Sequence, residues 1–80
     1  MPVLRLFAAA RVAAGTGSVP IAGDTVGEVL AAARDRFGDA FVAVLATSGV
    51  WLNGQPAGDD DPVDAGDEVA VLPPVSGGSD

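Results

Sequence analysis

One apolar stripe between Thr25 and Gly38 constrains the whole chain. Val26, Val29, Leu30, Ala33 and Phe37 recur at offsets 0, 3, 4, 7 and 11, the spacing of one face of an α-helix. Thr25 followed three residues later by Glu28 reads as a capping box. Asp24 and Glu28 suit the positive end of the helix dipole, and Gly38 marks the stop. A one-sided helix must lay its stripe on a partner surface, and 80 residues are available to build one. That is one small domain with a single core.

The remaining segments read mostly as strands. Val3-Leu4-Arg5-Leu6-Phe7 leaves little room for a solvent face and predicts a strand inside a sheet. Ala8–Ala14 suits about two helical turns, closed by Gly15-Thr16-Gly17. Ser18–Ile21 predicts a second strand, with Pro20 requiring an edge or a non-bonding position. Ala40–Ala46 fits a buried strand or a short helix. The helix is preferred because Thr47-Ser48-Gly49 and another strand follow at once. Val50-Trp51-Leu52 meets Asn53-Gly54, a hairpin turn, and Gln55-Pro56-Ala57 returns as a short edge. Glu68–Leu72 is the last strand. The expected fold class is α+β, a mixed sheet of about four to five strands with one main helix packed on one face. Placing the last strand beside the first, near the sheet centre, accounts for the apolar character of both and gives the ubiquitin-like β-grasp arrangement.

Composition removes most catalysts. The chain has no Cys, no His, no Lys and no Tyr, so disulfides, thiolate chemistry and the commonest metal ligand and general base are absent. Seven Ser and Thr hydroxyls remain, none with a His or Lys to activate it. Four Arg against eleven Asp and Glu give a net charge of −7, the wrong sign for nucleic acid or an anionic membrane. Strand-like sequence directly after Met1 and the lack of any apolar run near ~20 residues predict a cytoplasmic protein without a membrane span.

Three local motifs bear on chemistry. Asp59, Asp60, Asp61, Asp64 and Asp67 invite a calcium reading. In an EF-hand frame beginning at Asp59, however, Val63 takes the fifth position and Asp64 the sixth, where Gly belongs. The loop reads as solvated, and no metal is expected. Gly15-Thr16-Gly17 lacks the Lys and the completed glycine pattern of a phosphate loop and reads as a turn. Trp51, the lone Trp, fits a core or a surface aromatic and reads as packing rather than as a platform for a ligand.

The C-terminal segment is unusual. Pro73-Pro74 stops the last strand and stiffens the exit. Val75 offers one apolar anchor, and Gly77-Gly78 carries no side chain. From Leu72 to Gly78 the reach is at most about 20 Å at ~3.3 Å per residue. Such an arm can enter a narrow channel and present a backbone carbonyl there; an ordinary frayed terminus is the other reading, and the one composition alone favours, but it leaves the Pro-Pro before Gly-Gly unexplained. The domain is expected to run over residues 1–72 and the extended tail over 73–80.

Gly66-Asp67-Glu68-Val69-Ala70-Val71-Leu72-Pro73-Pro74-Val75-Ser76-Gly77-Gly78 resembles the C-terminal signature of the MoaD/ThiS family of ubiquitin-like sulfur carriers. Leu6-Phe7-Ala8 with Arg11 and Gly15 is similar to the family's first strand and turn. Pro73-Pro74-Val75 favours the branch of molybdopterin synthase small subunits over the thiamine branch. The resemblance implies a carrier that is not itself an enzyme. A ubiquitin-activating-like adenylyltransferase uses ATP to adenylate the Gly78 carboxylate, and a sulfur donor enzyme converts it to a thiocarboxylate. The large subunit of molybdopterin synthase then takes the sulfur for molybdenum cofactor biosynthesis. No cofactor is bound permanently. Gly78 is the reacting residue, Pro73, Pro74, Val75, Ser76 and Gly77 guide the tail, and Phe7, Arg11 and Leu72 dock the partner.

Ready carriers of this family end at the second Gly, whereas Ser79-Asp80 follows here. The expectation is a precursor from which a peptidase removes Ser79-Asp80. Carriers for thiamine, cysteine or a thio-natural product, and ubiquitin-like protein modifiers, are the alternatives.

Overall fold

The computed structural model describes residues 1–74. In chain order it contains β1 (Val3–Leu6), α1 (Ala8–Ala14), β2 (Ser18–Pro20), α2 (Val26–Phe37), α3 (Asp39–Leu45), β3 (Gly49–Leu52), β4 (Gln55–Pro56) and β5 (Glu68–Leu72). The strands form one sheet in the order β2-β1-β5-β3-β4. β1 and β5 run parallel, with Leu4 opposite Val69 and Leu6 opposite Val71. The other pairings are antiparallel. First and last strands are thus neighbours at the centre, the β-grasp arrangement expected from the sequence.

The helices cover one face of the sheet. Leu4 and Leu6 of β1 and Val69 and Val71 of β5 are buried with Val26, Val29, Leu30 and Ala33 of α2 in one cluster. The stripe read from the sequence is therefore the buried face of α2, and its last member, Phe37, is half-buried. The Ala40–Ala46 run is helical through Leu45, with Ala46 as the cap: α3 buries Phe41 and Leu45, and the rings of Phe37 and Phe41 meet at 5.3 Å and 59°.

The start of α2 is fully supplied with acceptors. Thr25 Oγ1 accepts from the Glu28 N–H at 3.1 Å. The Glu28 carboxylate accepts from the N–H of Asp24 at 2.9 Å, one residue earlier than a capping box requires. The N–H groups of Val26 and Gly27 donate to the carbonyls of Asp61 and Asp59, both at 2.9 Å. The acidic loop thus caps the helix with its backbone. Gly27 is needed for this approach, since a Cβ there would lie 3.1 Å from the Asp59 carbonyl oxygen.

One expectation is corrected. The Val3–Phe7 run does have a solvent side: Leu4 and Leu6 are buried, but Val3 and Arg5 are half-buried and Phe7 is exposed. Among the described residues no helix lies over that side, so the sheet is open there. Both edge strands carry a proline, Pro20 in β2 and Pro56 in β4, as strands that cannot complete a ladder should.

Candidate functional site: the open sheet face at the root of the tail

β5 delivers the chain to the tail. It ends at Leu72, followed by Pro73, which is buried, and Pro74, which is exposed. Val75, Ser76, Gly77 and Gly78, with Ser79 and Asp80, lie outside the described residues.

Phe7 sits at the same end of the sheet, because its N–H donates to the Val71 carbonyl at 3.3 Å and continues the β1–β5 pairing by one step. Phe7 is 39% exposed and Leu72 is 37% exposed. Phe7 also precedes α1, where its carbonyl accepts from Ala10 at 3.0 Å and from Arg11 at 3.4 Å. Arg11 is therefore one helical turn from Phe7. Its side chain lies over Gly17, where a Cβ would come within 3.2 Å of the Arg11 Nε. Phe7, Arg11 and Leu72, which the family resemblance names together, lie at one end of the sheet.

The strand register orders the rest of this face. Ser18, Arg5, Ala70, Trp51 and Pro56 stand opposite one another across all five strands. Leu72 and Gly49 form the next pair toward the tail. Arg5 lies 5.8 Å from the Phe7 ring centroid and bonds Glu68 Oε2 at 3.1 Å. Both side chains are about half exposed, at 42% and 50%, so the pair contributes little stability. Its effect is to fix a charged group beside the apolar surface. Trp51 is 37% exposed on this same face, the surface alternative of the two positions the sequence leaves open. The signal was present in β3: Val50 and Leu52 point inward as part of the core, so Gly49 and Trp51 alternate outward.

The acidic loop makes turns. Asp61 Oδ2 accepts from the Gly58 N–H at 2.9 Å. Asp67 accepts from the Asp64 N–H at 2.8 Å and from Asn53 Nδ2 at 3.0 Å. The Asp64 N–H foremost, then the Asn53 amide, hold the Asp67 carboxyl below the usual carboxylate value. Among the described residues no three His, Cys, Asp or Glu side chains are grouped to hold a metal ion, and no helix is long and apolar enough to cross a membrane. A shallow cleft of about 290 Å³ beside Met1, Asp24 and Asp64 lies at the other end of the β1–β5 pair, and its only ionisable side chains are those two carboxylates.

Comparison with known proteins agrees with this architecture. No curated protein matches the sequence. Among solved structures, the chain is similar to SAMP1 from Haloferax volcanii, with 32% identity, 94% of this chain and 96% of that one covered, and a TM-score of 0.78. It is also similar to small archaeal modifier protein 1 from Methanosarcina acetivorans, with 28% identity, coverage of 94% and 93%, and a TM-score of 0.85. A Pyrococcus furiosus protein described as a molybdopterin converting factor subunit 1 shares the fold, at 24% identity, coverage of 92% and 97%, and a TM-score of 0.77. The model of the ThiS family matches residues 4–78, from the first buried leucine of β1 through the second glycine of the tail. The chain belongs to the ThiS family of small ubiquitin-like sulfur carriers, proteins that carry a group and do not themselves catalyse.

Proposed function

We propose that this protein carries sulfur as a thiocarboxylate at Gly78 for molybdopterin synthesis. The observation that carries the reading is the position of Leu72. The central strand of the sheet ends beside Phe7 on an open apolar face and passes directly into Pro73-Pro74. A partner seated on that face receives the tail without the fold having to change. The family match running to Gly78 supports the same end point.

In this reading an ATP-dependent adenylyltransferase joins the Gly78 carboxylate to AMP and releases pyrophosphate. A sulfur donor enzyme then supplies sulfur at the sulfide level, which attacks the acyl carbon and expels AMP, leaving a thiocarboxylate. The sulfur attacks the pterin precursor on the large subunit of molybdopterin synthase, and water cleaves the bond between sulfur and the acyl carbon, returning Gly78 as a carboxylate. For Gly78 to bear that carboxylate, a peptidase must first cut the bond to Ser79. Gly77 keeps the channel narrow, Pro73, Pro74, Val75 and Ser76 guide the arm, and Phe7, Arg11 and Leu72 hold the partner. With no His, Cys or Lys in the chain, every reactive group except the carboxylate comes from a partner.

The test uses chain ending at Gly78, incubated with activating enzyme, ATP and a sulfur donor. Intact mass should rise by the exchange of one oxygen for sulfur, and adding the large synthase subunit with its pterin precursor should reverse it. Gly78→Ala should lose loading without loss of folding. Loading that the synthase cannot discharge would move the carrier to another sulfur pathway. A second reading, a protein modifier joined to target lysines, is supported by the identity of 28–32% to two proteins named as archaeal modifiers. It predicts Gly-Gly remnants on other proteins.

A further inference from the structure

We propose that Asn53 is a modification site, converted by water alone to aspartate and isoaspartate, and that the grip of β5 on its side chain sets the rate. The sequence supplies the reacting groups. Asn53 precedes Gly54, and glycine has no Cβ to shield its backbone nitrogen from the neighbouring side chain. Both residues are exposed at the tip of the β3–β4 hairpin. The Gly54 nitrogen attacks the Asn53 Cγ, the Cγ–Nδ2 bond breaks, and ammonia leaves with the proton that Gly54 gives up. Water then adds to either carbonyl of the cyclic imide. One opening gives aspartate at position 53. The other gives isoaspartate, with the main chain running through the former side chain. Nothing is oxidised or reduced.

The fold holds this reaction back. Attack requires the Asn53 amide to swing toward the Gly54 nitrogen. In the folded chain both ends of that amide reach across to β5 and the residue before it. Nδ2 donates to Asp67 Oδ1 at 3.0 Å, and Oδ1 accepts from the Glu68 N–H at 2.9 Å. The main chain is pinned as well, since the Asn53 N–H donates to the Glu68 carbonyl at 2.9 Å. Asp67 is itself fixed, because its second oxygen accepts from the Asp64 N–H at 2.8 Å. Two side-chain hydrogen bonds must open before Cγ can turn, which slows the reaction about tenfold or more relative to the unfolded chain.

The product undoes the grip that delayed it. It lacks the Nδ2 donor and sets a carboxylate against Asp67, where like charges repel. The isoaspartyl form also lengthens a two-residue loop whose φ values, 50° and 85°, suit a tight turn. β4 has only two residues, paired with Trp51 and Leu52, so that turn is what keeps it in place. Modification therefore frees β4 and uncovers the edge of β3.

The experiment incubates the full chain in mildly alkaline buffer, folded and in guanidinium chloride. Intact mass follows the exchange of one NH2 group for a hydroxyl, and fragmentation locates it. Asn53 is the only asparagine and Gln55 the only glutamine, so any such change belongs to one of two positions. The change should occur at position 53 and run about tenfold or more slower in the folded chain. Asp67→Ala should raise the folded rate about fivefold or more, as should Asp67→Ser, whose hydroxyl keeps an acceptor for the Asp64 turn. Thermal melts establish that the variants are folded at the incubation temperature. If neither folds, the ratio of the two wild-type rates decides. Modified chain, separated by anion exchange, should show faster hydrogen exchange at the Ala57 N–H, which donates to the Val50 carbonyl at 3.0 Å. No change in denaturant, or a change at Gln55 instead, overturns the site. Equal rates in folded and unfolded wild type, or folded Asp67 variants as slow as wild type, overturn the grip. Unaltered exchange at Ala57 overturns the release of β4.

Discussion

Asn53 does two jobs at one position. Its backbone takes φ of 50°, with Gly54 at 85°, the left-handed pair a two-residue hairpin needs. Its side chain donates to Asp67 Oδ1 at 3.0 Å and accepts from the Glu68 N–H at 2.9 Å, tying the β3–β4 turn to the start of β5. Asn53→Ala loses both bonds and keeps the unfavourable φ. A cost of about 1–2 kcal/mol follows, readable from the urea midpoint at constant slope. Asp67, held partly by the same amide, has its folded pKa below the unfolded value of 3.8. Its contribution is fully present above that value and is lost as the pH falls through the lower folded pKa. Asp67→Asn should therefore flatten the acid limb of the stability curve and leave its neutral region level. The Asn-Gly turn was legible from two letters of sequence. The tie to Asp67 was not, because it joins residues 14 apart whose proximity depends on the sheet.

At the scale of elements, helices were easier to read than strand faces. α1 and α2 announce themselves through Gly15, Thr25, Glu28 and the spacing of Val26, Val29, Leu30 and Ala33, all local signals. α3 needed a choice between helix and strand, and the outcome is settled by Phe41, fully buried against Phe37. Phe41→Ala should cost about 3–5 kcal/mol and lower the melting temperature more than any substitution on the open face. β1 was harder, because Val3 and Phe7 carry the same apolar character as Leu4 and Leu6. Hydrophobicity alone does not separate a side chain facing the core from one facing a partner. The same ambiguity concealed Trp51, whose neighbours Gly49 and Ala70 acquire meaning only when the register sets them side by side.

For the whole molecule, charge and shape act together. The net charge of −7 is carried largely by the helix side and the 58–67 loop, while the open face holds the Arg5–Glu68 pair and apolar groups. Long-range attraction to a basic partner should therefore speed encounter, and short-range apolar burial should hold the complex. Raising the salt from about 0.05 M to about 0.5 M should slow association by about tenfold and change dissociation far less, as stopped-flow fluorescence of Trp51 would record.

The parallel run of β1 and β5 has a practical consequence. The chain enters the sheet at one pole and departs from the opposite pole, about 13 Å further along by strand rise alone. A fluorophore or affinity handle attached ahead of Met1 is thereby held at the pole opposite Leu72, so beads tethered there would leave the far berth unobstructed.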